Sequence, residues 1–219
     1  MALNNQVANK PALIALAVIA WAGVLLQLAL SIQLALANGK TASDGVIVFL
    51  GYFTVLSNLF VALAAALPLI AGLSSLGRWF GRPTVLGCAT TSILTVGIGY
   101  HLLLRNVWAP QGLQLLADVV LHYVVPISAF AYWVAFPPRA KLAVLTPLAW
   151  SLYPISYMIY ALLRGQILGS NPYHFIDVAS IGYRQVLINA LGLLICFIVV
   201  GSAVLIISVL RNRLRPVKH

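Results

Sequence analysis

The chain has 219 residues, of which 62% are hydrophobic and only 7% charged, with a formal net charge of +10. Its mean hydropathy is +1.01 and its pI is near 10.1. Soluble domains average about 45–50% apolar and roughly 25% charged residues, so this composition excludes an ordinary cytosolic enzyme, a disordered chain and a nucleic-acid-binding domain. The basic residues stand singly or in short clusters between long apolar runs, which is the pattern of membrane topology signals rather than of a nucleic-acid patch. Cys88 and Cys196 both lie inside apolar runs. They imply neither a disulfide framework nor a thiolate metal site.

A transmembrane helix needs about 20 predominantly apolar residues to cross a hydrocarbon layer of roughly 30 Å. Six runs meet that requirement, at 11–37, 46–73, 84–104, 113–136, 142–163 and 184–210. The breaks carry turn chemistry: Asn38-Gly39-Lys40, Gly77-Arg78 with Gly81-Arg82-Pro83, and Pro137-Pro138-Arg139. The first run is too long for a signal-peptide core and is expected to remain as a helix. No repeat and no second domain is apparent. The expected fold is all-α: one six-helix transmembrane bundle over residues 1–219.

Orientation follows from Lys and Arg on alternate sides. Lys10, Arg78, Arg82, Arg139, Lys141, Arg211, Arg213, Arg215 and Lys218 fall on one side, against Lys40, Arg105, Arg164 and Arg184 on the other. This places both termini in the cytoplasm and the odd-numbered loops outside. The cluster Arg211, Arg213, Arg215 and Lys218 is expected to hold the last helix end against anionic headgroups.

Polar groups within the apolar runs are the informative positions, because hydrocarbon tolerates them only when paired or facing a cavity. In the second run Thr54 and Asn58 are four apart and share a face with Gly51; in the fourth, Asp118 and His122 do the same, ahead of Pro126. Counted from the outer ends, Thr54 sits roughly 12 Å down and His122 roughly 13 Å down at 1.5 Å per residue. A hydroxyl and an imidazole at matching depth suit a nucleophile and its general base. Asp118 is expected either to orient the imidazole or to pair with Arg105. Asn58 is read as helix glue or an oxyanion donor. Thr54 has a plain alternative too, bonding back to a carbonyl one turn earlier.

The fifth run carries Trp150, Tyr153, Tyr157, Tyr160 and Arg164 at helical spacing, an aromatic face ending in a cation. The stretch 164–177 is too polar to span and rich in aromatics. It is expected to cap the cavity or to form an interfacial aromatic belt.

At these residues the sequence resembles the prokaryotic branch of the androgen-induced protein family of six-helix membrane proteins. Tyr52-Phe53-Thr54, Ser57-Asn58, Leu121-His122-Tyr123-Val124-Val125-Pro126, Trp150…Tyr153-Pro154…Tyr157…Arg164-Gly165 and Pro172-Tyr173…Phe175-Ile176-Asp177 carry the resemblance. It implies a bacterial inner-membrane threonine hydrolase of fatty acid esters of hydroxy fatty acids, without cofactor or metal. The nucleophile then falls on Thr54 and the base on His122, with Asn58, Asp118, Tyr157 or Arg164 as support or oxyanion donors. Membrane lipids and a lipid ester are the implied partners, and nucleic acid is not.

Three alternatives stay open on the residues alone. Asp118, His122, His101 and His174 are candidate metal ligands, Zn accepting carboxylate and imidazole. His101 and His122 are candidate haem ligands. A non-enzymatic lipid-binding or scaffold protein would use the same polar residues as glue.

Overall fold

Asn9 opens the first helix by accepting a hydrogen bond from the Ala12 amide, with Pro11 at a position where its missing N–H is harmless. This helix, α1 (Lys10–Ala37), ends at Asn38 and Gly39, whose φ of 71° supplies the left-handed turn. Thr41 and Asp44 then form a reciprocal capping box that starts α2 (Ala42–Phe49). There follow α3 (Phe53–Ile70), α4 (Ser75–Phe80), α5 (Pro83–Leu104), α6 (Gly112–Ala135), α7 (Thr146–Trp150), α8 (Leu152–Leu168) and α9 (Val178–Arg213). The computed structural model describes residues 9–138 and 140–213, and no strand occurs among them. Arg139, Arg215 and Lys218, used above as topology signals, lie outside the described residues.

Among the described residues, five helices are long and apolar enough to cross a membrane: α1, α3, α5, α6 and α9. The chain therefore has the build of an integral membrane protein. The first, third and fourth expected segments coincide with α1, α5 and α6 to within a residue at each end. The second differs. Residues 46–73 are not one helix: the chain breaks after Phe49, and Tyr52 turns to extended backbone (φ −92°, ψ 132°) before α3 begins. The fifth begins later and runs further than 142–163, as α7 and α8 joined through Ser151. The sixth starts before residue 184, with a kink at Gly182 (φ 74°, ψ 158°).

Three contacts fix the helix order around the site. α1 and α3 pack together and share a buried cluster to which they contribute small residues, Ala17 and Ala20 from α1 and Ala62 and Ala65 from α3. At Gly45 a Cβ would lie 2.6 Å from the Ile32 Cα, so α2 rests directly on the α1 backbone. Across the bundle, Trp133 of α6 is fully buried and its indole N–H donates to the Val204 carbonyl of α9 (2.9 Å).

Both α5 and α6 carry one π-helical turn, at Tyr100–Leu104 and at Val120–Val124. In α6 the cause is legible: Pro126 has no N–H to return to the His122 carbonyl, and the ladder slips by one residue. Gly97 of α5 lies against that freed carbonyl, its would-be Cβ 3.0 Å away.

Candidate active site

Thr54 occupies the second residue of α3, in the turn whose amides have no partner within their own helix. No side chain of Tyr52 caps this end. Instead the Tyr173 hydroxyl, arriving from the loop between α8 and α9, accepts from the Thr54 N–H at 3.3 Å and lies 3.5 Å from its Oγ1. Burial raises the pKa of the Tyr173 phenol and keeps it neutral, so it remains a donor. Thr54 itself is 9% exposed.

Thr54 lies in the wall of a cavity of about 450 Å³ bounded by α3, α5, α8, α9 and the loop at 169–177. Its surface is almost wholly apolar, from Val96, Leu191, Leu194 and Phe197 among others; its polar groups are Thr54, Thr95, Tyr100, Tyr157 and Tyr173. Ile159, Leu187 and Leu191 line it while more than half exposed, which marks a lateral opening between α8 and α9. An apolar chamber with a few convergent polar groups is the usual form of a small-molecule site.

The other half of the expected pair is elsewhere. His122 Nδ1 lies 3.2 Å from Asp118 Oδ1 and 3.0 Å from the Asp118 carbonyl. Both are acceptors, so Nδ1 carries the proton and Nε2 is left with a lone pair when the ring is neutral. Asp118 thus orients His122 and does not pair with Arg105. Its second oxygen accepts from the Tyr100 hydroxyl at 2.5 Å, and the Tyr100 ring stacks on the imidazole with centroids 3.8 Å apart. No hydrogen bond joins Thr54 to His122. They line different cavities, His122 lying in a groove of about 340 Å³ between α5 and α6. Tyr100 is common to both neighbourhoods: it lines the Thr54 cavity while its ring covers His122.

The supporting residues have definite partners. Asn58 donates to the Thr54 carbonyl (2.8 Å) and to the Leu121 carbonyl of α6 (3.2 Å), which uses both amide hydrogens and leaves none for an oxyanion. Tyr157, Tyr160 and Arg164 donate to the carbonyls of Gly51, Leu50 and Ile47 at 3.0, 3.2 and 3.1 Å. They cap the end of α2, the half of the broken helix that would otherwise leave carbonyls unsatisfied in hydrocarbon. Tyr157 also lines the Thr54 cavity; Arg164 does not.

The four candidate metal ligands do not converge. His101 has both nitrogens engaged, by Tyr123 Oη (3.3 Å) and by Arg105 (3.1 Å), which leaves none for a metal or a haem iron; His174 packs on Phe175. Among the described residues no group of three His, Cys, Asp or Glu is placed to hold a metal ion. The stretch 164–177, expected to cap the cavity, does supply Tyr173, Phe175 and Ile176 to its wall, though Tyr173 was not singled out within it; sequence reasoning missed Tyr100 and Thr95 as members of the site. The signal for Tyr100 was its place beside His101 at the same end of the bundle as Asp118, while nothing in the spacing of Tyr173 points to Thr54. Comparison of the chain with family models, with curated proteins and with solved structures finds no match.

Proposed function

We propose that the protein is a six-span membrane enzyme that takes a lipid acyl ester laterally between α8 and α9 and cleaves it at Thr54. The observation that carries the reading is the buried Thr54 hydroxyl in the wall of an otherwise apolar cavity of about 450 Å³ that opens sideways. The acyl chain fills the cavity and the ester carbonyl meets the first turn of α3, whose positive dipole end and the neutral Tyr173 phenol held there stabilise negative charge on oxygen. The Thr54 oxygen attacks the carbonyl carbon, the ester C–O bond breaks, and the alcohol leaves with the proton that His122 took from Thr54. Water then releases the acid from the acyl-threonine. Asp118 holds the imidazole in the tautomer this step needs. Because Tyr100 covers His122 in the free protein, substrate binding must swing that ring aside. The sixth span is α7 with α8, joined through Ser151 in helical backbone (φ −65°, ψ −14°). The basic residues favour cytoplasmic termini in a bacterial inner membrane.

A second reading, lipid binding without chemistry, is favoured by one observation: among the described residues the side-chain partner of Thr54 Oγ1 is a phenol and not an imidazole. One experiment separates the two. Purified protein is assayed for fatty-acid release from a long-chain ester and for fluorophosphonate labelling, with thermal melts as the folding control. Thr54→Ala is expected to abolish both, and His122→Ala to lower them by about 10²–10⁴-fold. Full activity in both folded variants refutes the mechanism, and an inactive wild-type protein that still binds the ester supports the second reading.

A further inference from the structure

The groove between α5 and α6 has a polar end in which His101, Tyr123 and the adjoining Arg105 take no part in the chemistry at Thr54. It runs along Leu94, Gly97, Ile98 and Leu102 of α5 and Pro126, Ile127 and Phe130 of α6, and its polar members are His101, His122 and Tyr123. From Leu94 to Leu102 it extends roughly 12 Å along the helix, from the bilayer interior toward the end of the bundle. It is therefore parallel to the chains of the surrounding lipid. Ile127 and Leu102 are well exposed on its rim, so it opens to the lipid side and not into the bundle.

The hydrogen bonds at its polar end have one consistent direction. A guanidinium can only donate, so Arg105 Nη1 donates to His101 Nε2 (3.1 Å), and the neutral ring then carries its proton on Nδ1. That proton is given to Tyr123 Oη (3.3 Å), which leaves the Tyr123 hydroxyl proton free for an acceptor. Arg105 makes no ion pair among the described residues; the one acid nearby, Asp118, is taken by Tyr100 and His122. An apolar groove of about 340 Å³ thus ends in a polarised phenol, with a cation that has no acidic partner among the described residues one hydrogen bond away on His101.

We propose that this groove is a binding site for a single-chain amphiphile with a carboxylate head, a long-chain fatty acid. Its chain lies along Ile98, Pro126 and Phe130 and its carboxylate receives Arg105 and the Tyr123 hydroxyl. The groove has room for one chain, whereas a bilayer phospholipid brings two. A planar guanidinium matches a carboxylate through two parallel hydrogen bonds. The proposal rests on Arg105, Tyr123 and the apolar wall, none of which acts at Thr54; His122, which also lines the groove, is given no role in it.

The test is photo-crosslinking of the purified full-length protein in detergent with palmitic acid bearing a diazirine in mid-chain, with adducts mapped by peptide mass spectrometry. The expected adducts fall on residues 94–102 and 123–130, and are competed by palmitic acid but not by its methyl ester. Arg105→Gln and Tyr123→Phe are each expected to weaken competition by about tenfold, the loss of one charge-assisted hydrogen bond. Adducts confined to α8 and α9, equal competition by the methyl ester, or unchanged competition in both folded variants would each overturn the proposal. Ile98→Trp, which fills the groove without touching the polar end, is expected to remove the adducts while leaving the melting temperature intact.

Discussion

Asn58 has none of its surface exposed, and it ties α3 to α6 through the Leu121 carbonyl. Both of its nitrogen contacts are carbonyl oxygens, which fixes the orientation of the amide. Its Oδ1 has no donor, so the side chain makes two of its possible hydrogen bonds at the expense of one buried acceptor. Asn58→Ala is therefore expected to destabilise the protein by about 0.5–1.5 kcal/mol, the range of an interhelical polar contact in a membrane. Reversible unfolding in mixed micelles checks this, and ester hydrolysis per folded molecule is expected to change little. A loss of about 10²–10³-fold with stability intact would instead make Asn58 an oxyanion donor. At this scale the sequence was partly legible. Hydropathy exposes every polar residue in an apolar run, so Thr54, Asn58, Asp118 and His122 stood out. The pairing of Asp118 with His122 followed from their spacing of four on one helix. The neighbour of Thr54 did not, because it is set by helix rotation and by a loop more than a hundred residues away, where Tyr173 lies.

The elements around the site are held by local devices that differ in how well they announce themselves. Thr41 and Asp44 read directly as a capping box. The break between α2 and α3 does not: Gly51-Tyr52 in an apolar run looks continuous, and only the donors from Tyr157, Tyr160 and Arg164 make the interruption tolerable. A depth counted along one straight helix from residue 46 thus crosses a corner. The loop that brings Tyr173 to Thr54 starts at Gly169 and is followed by the kink at Gly182 in the first turns of α9, both glycines at positive φ. It is anchored by Asp177, which accepts from Ser180 (2.5 Å), Asn171 (3.3 Å) and the Ala179 amide (3.3 Å). These bonds, that from Ser180 foremost, hold the Asp177 pKa below its ordinary value. A carboxylate depressed in the folded state stabilises the fold above its unfolded pKa, and the contribution is lost as pH falls through the folded value. Asp177→Asn is therefore expected to melt below the wild type at pH 7. The gap should narrow below pH about 4, the ordinary carboxylate value, and close as the folded-state carboxyl takes its proton. A gap that persists unchanged to pH 3 would show that Asp177 acts through shape and not charge.

The whole bundle is laid out so that every polar feature of interest gathers at one end. Gln27 of α1 accepts from Gln114 of α6, Arg164 of α8 reaches Ile47 of α2, and Tyr173 meets Thr54. The opposite end holds α4, the Ser74 cap and the start of α7. Composition alone announced a helical membrane protein, since hydropathy needs only a count, but the number of spans turns on α7 and α8. Neither alone meets the length of about 20 residues for a span, and together they do. This decides the side of the membrane on which the site end lies relative to Lys141 and the α9 terminus. Single cysteines in a background with Cys88 and Cys196 replaced by Ala provide the measurement. With six spans and cytoplasmic termini, Ala42→Cys and Ser170→Cys label with an impermeant maleimide on intact cells, whereas Ser74→Cys and Ala140→Cys label only after the cells are opened. If α7 and α8 do not cross, residues 140 and 170 share a side and label together. Labelling of residues 74 and 140 alone on intact cells would keep the six spans and reverse the orientation, placing the Thr54 cavity in the inner leaflet.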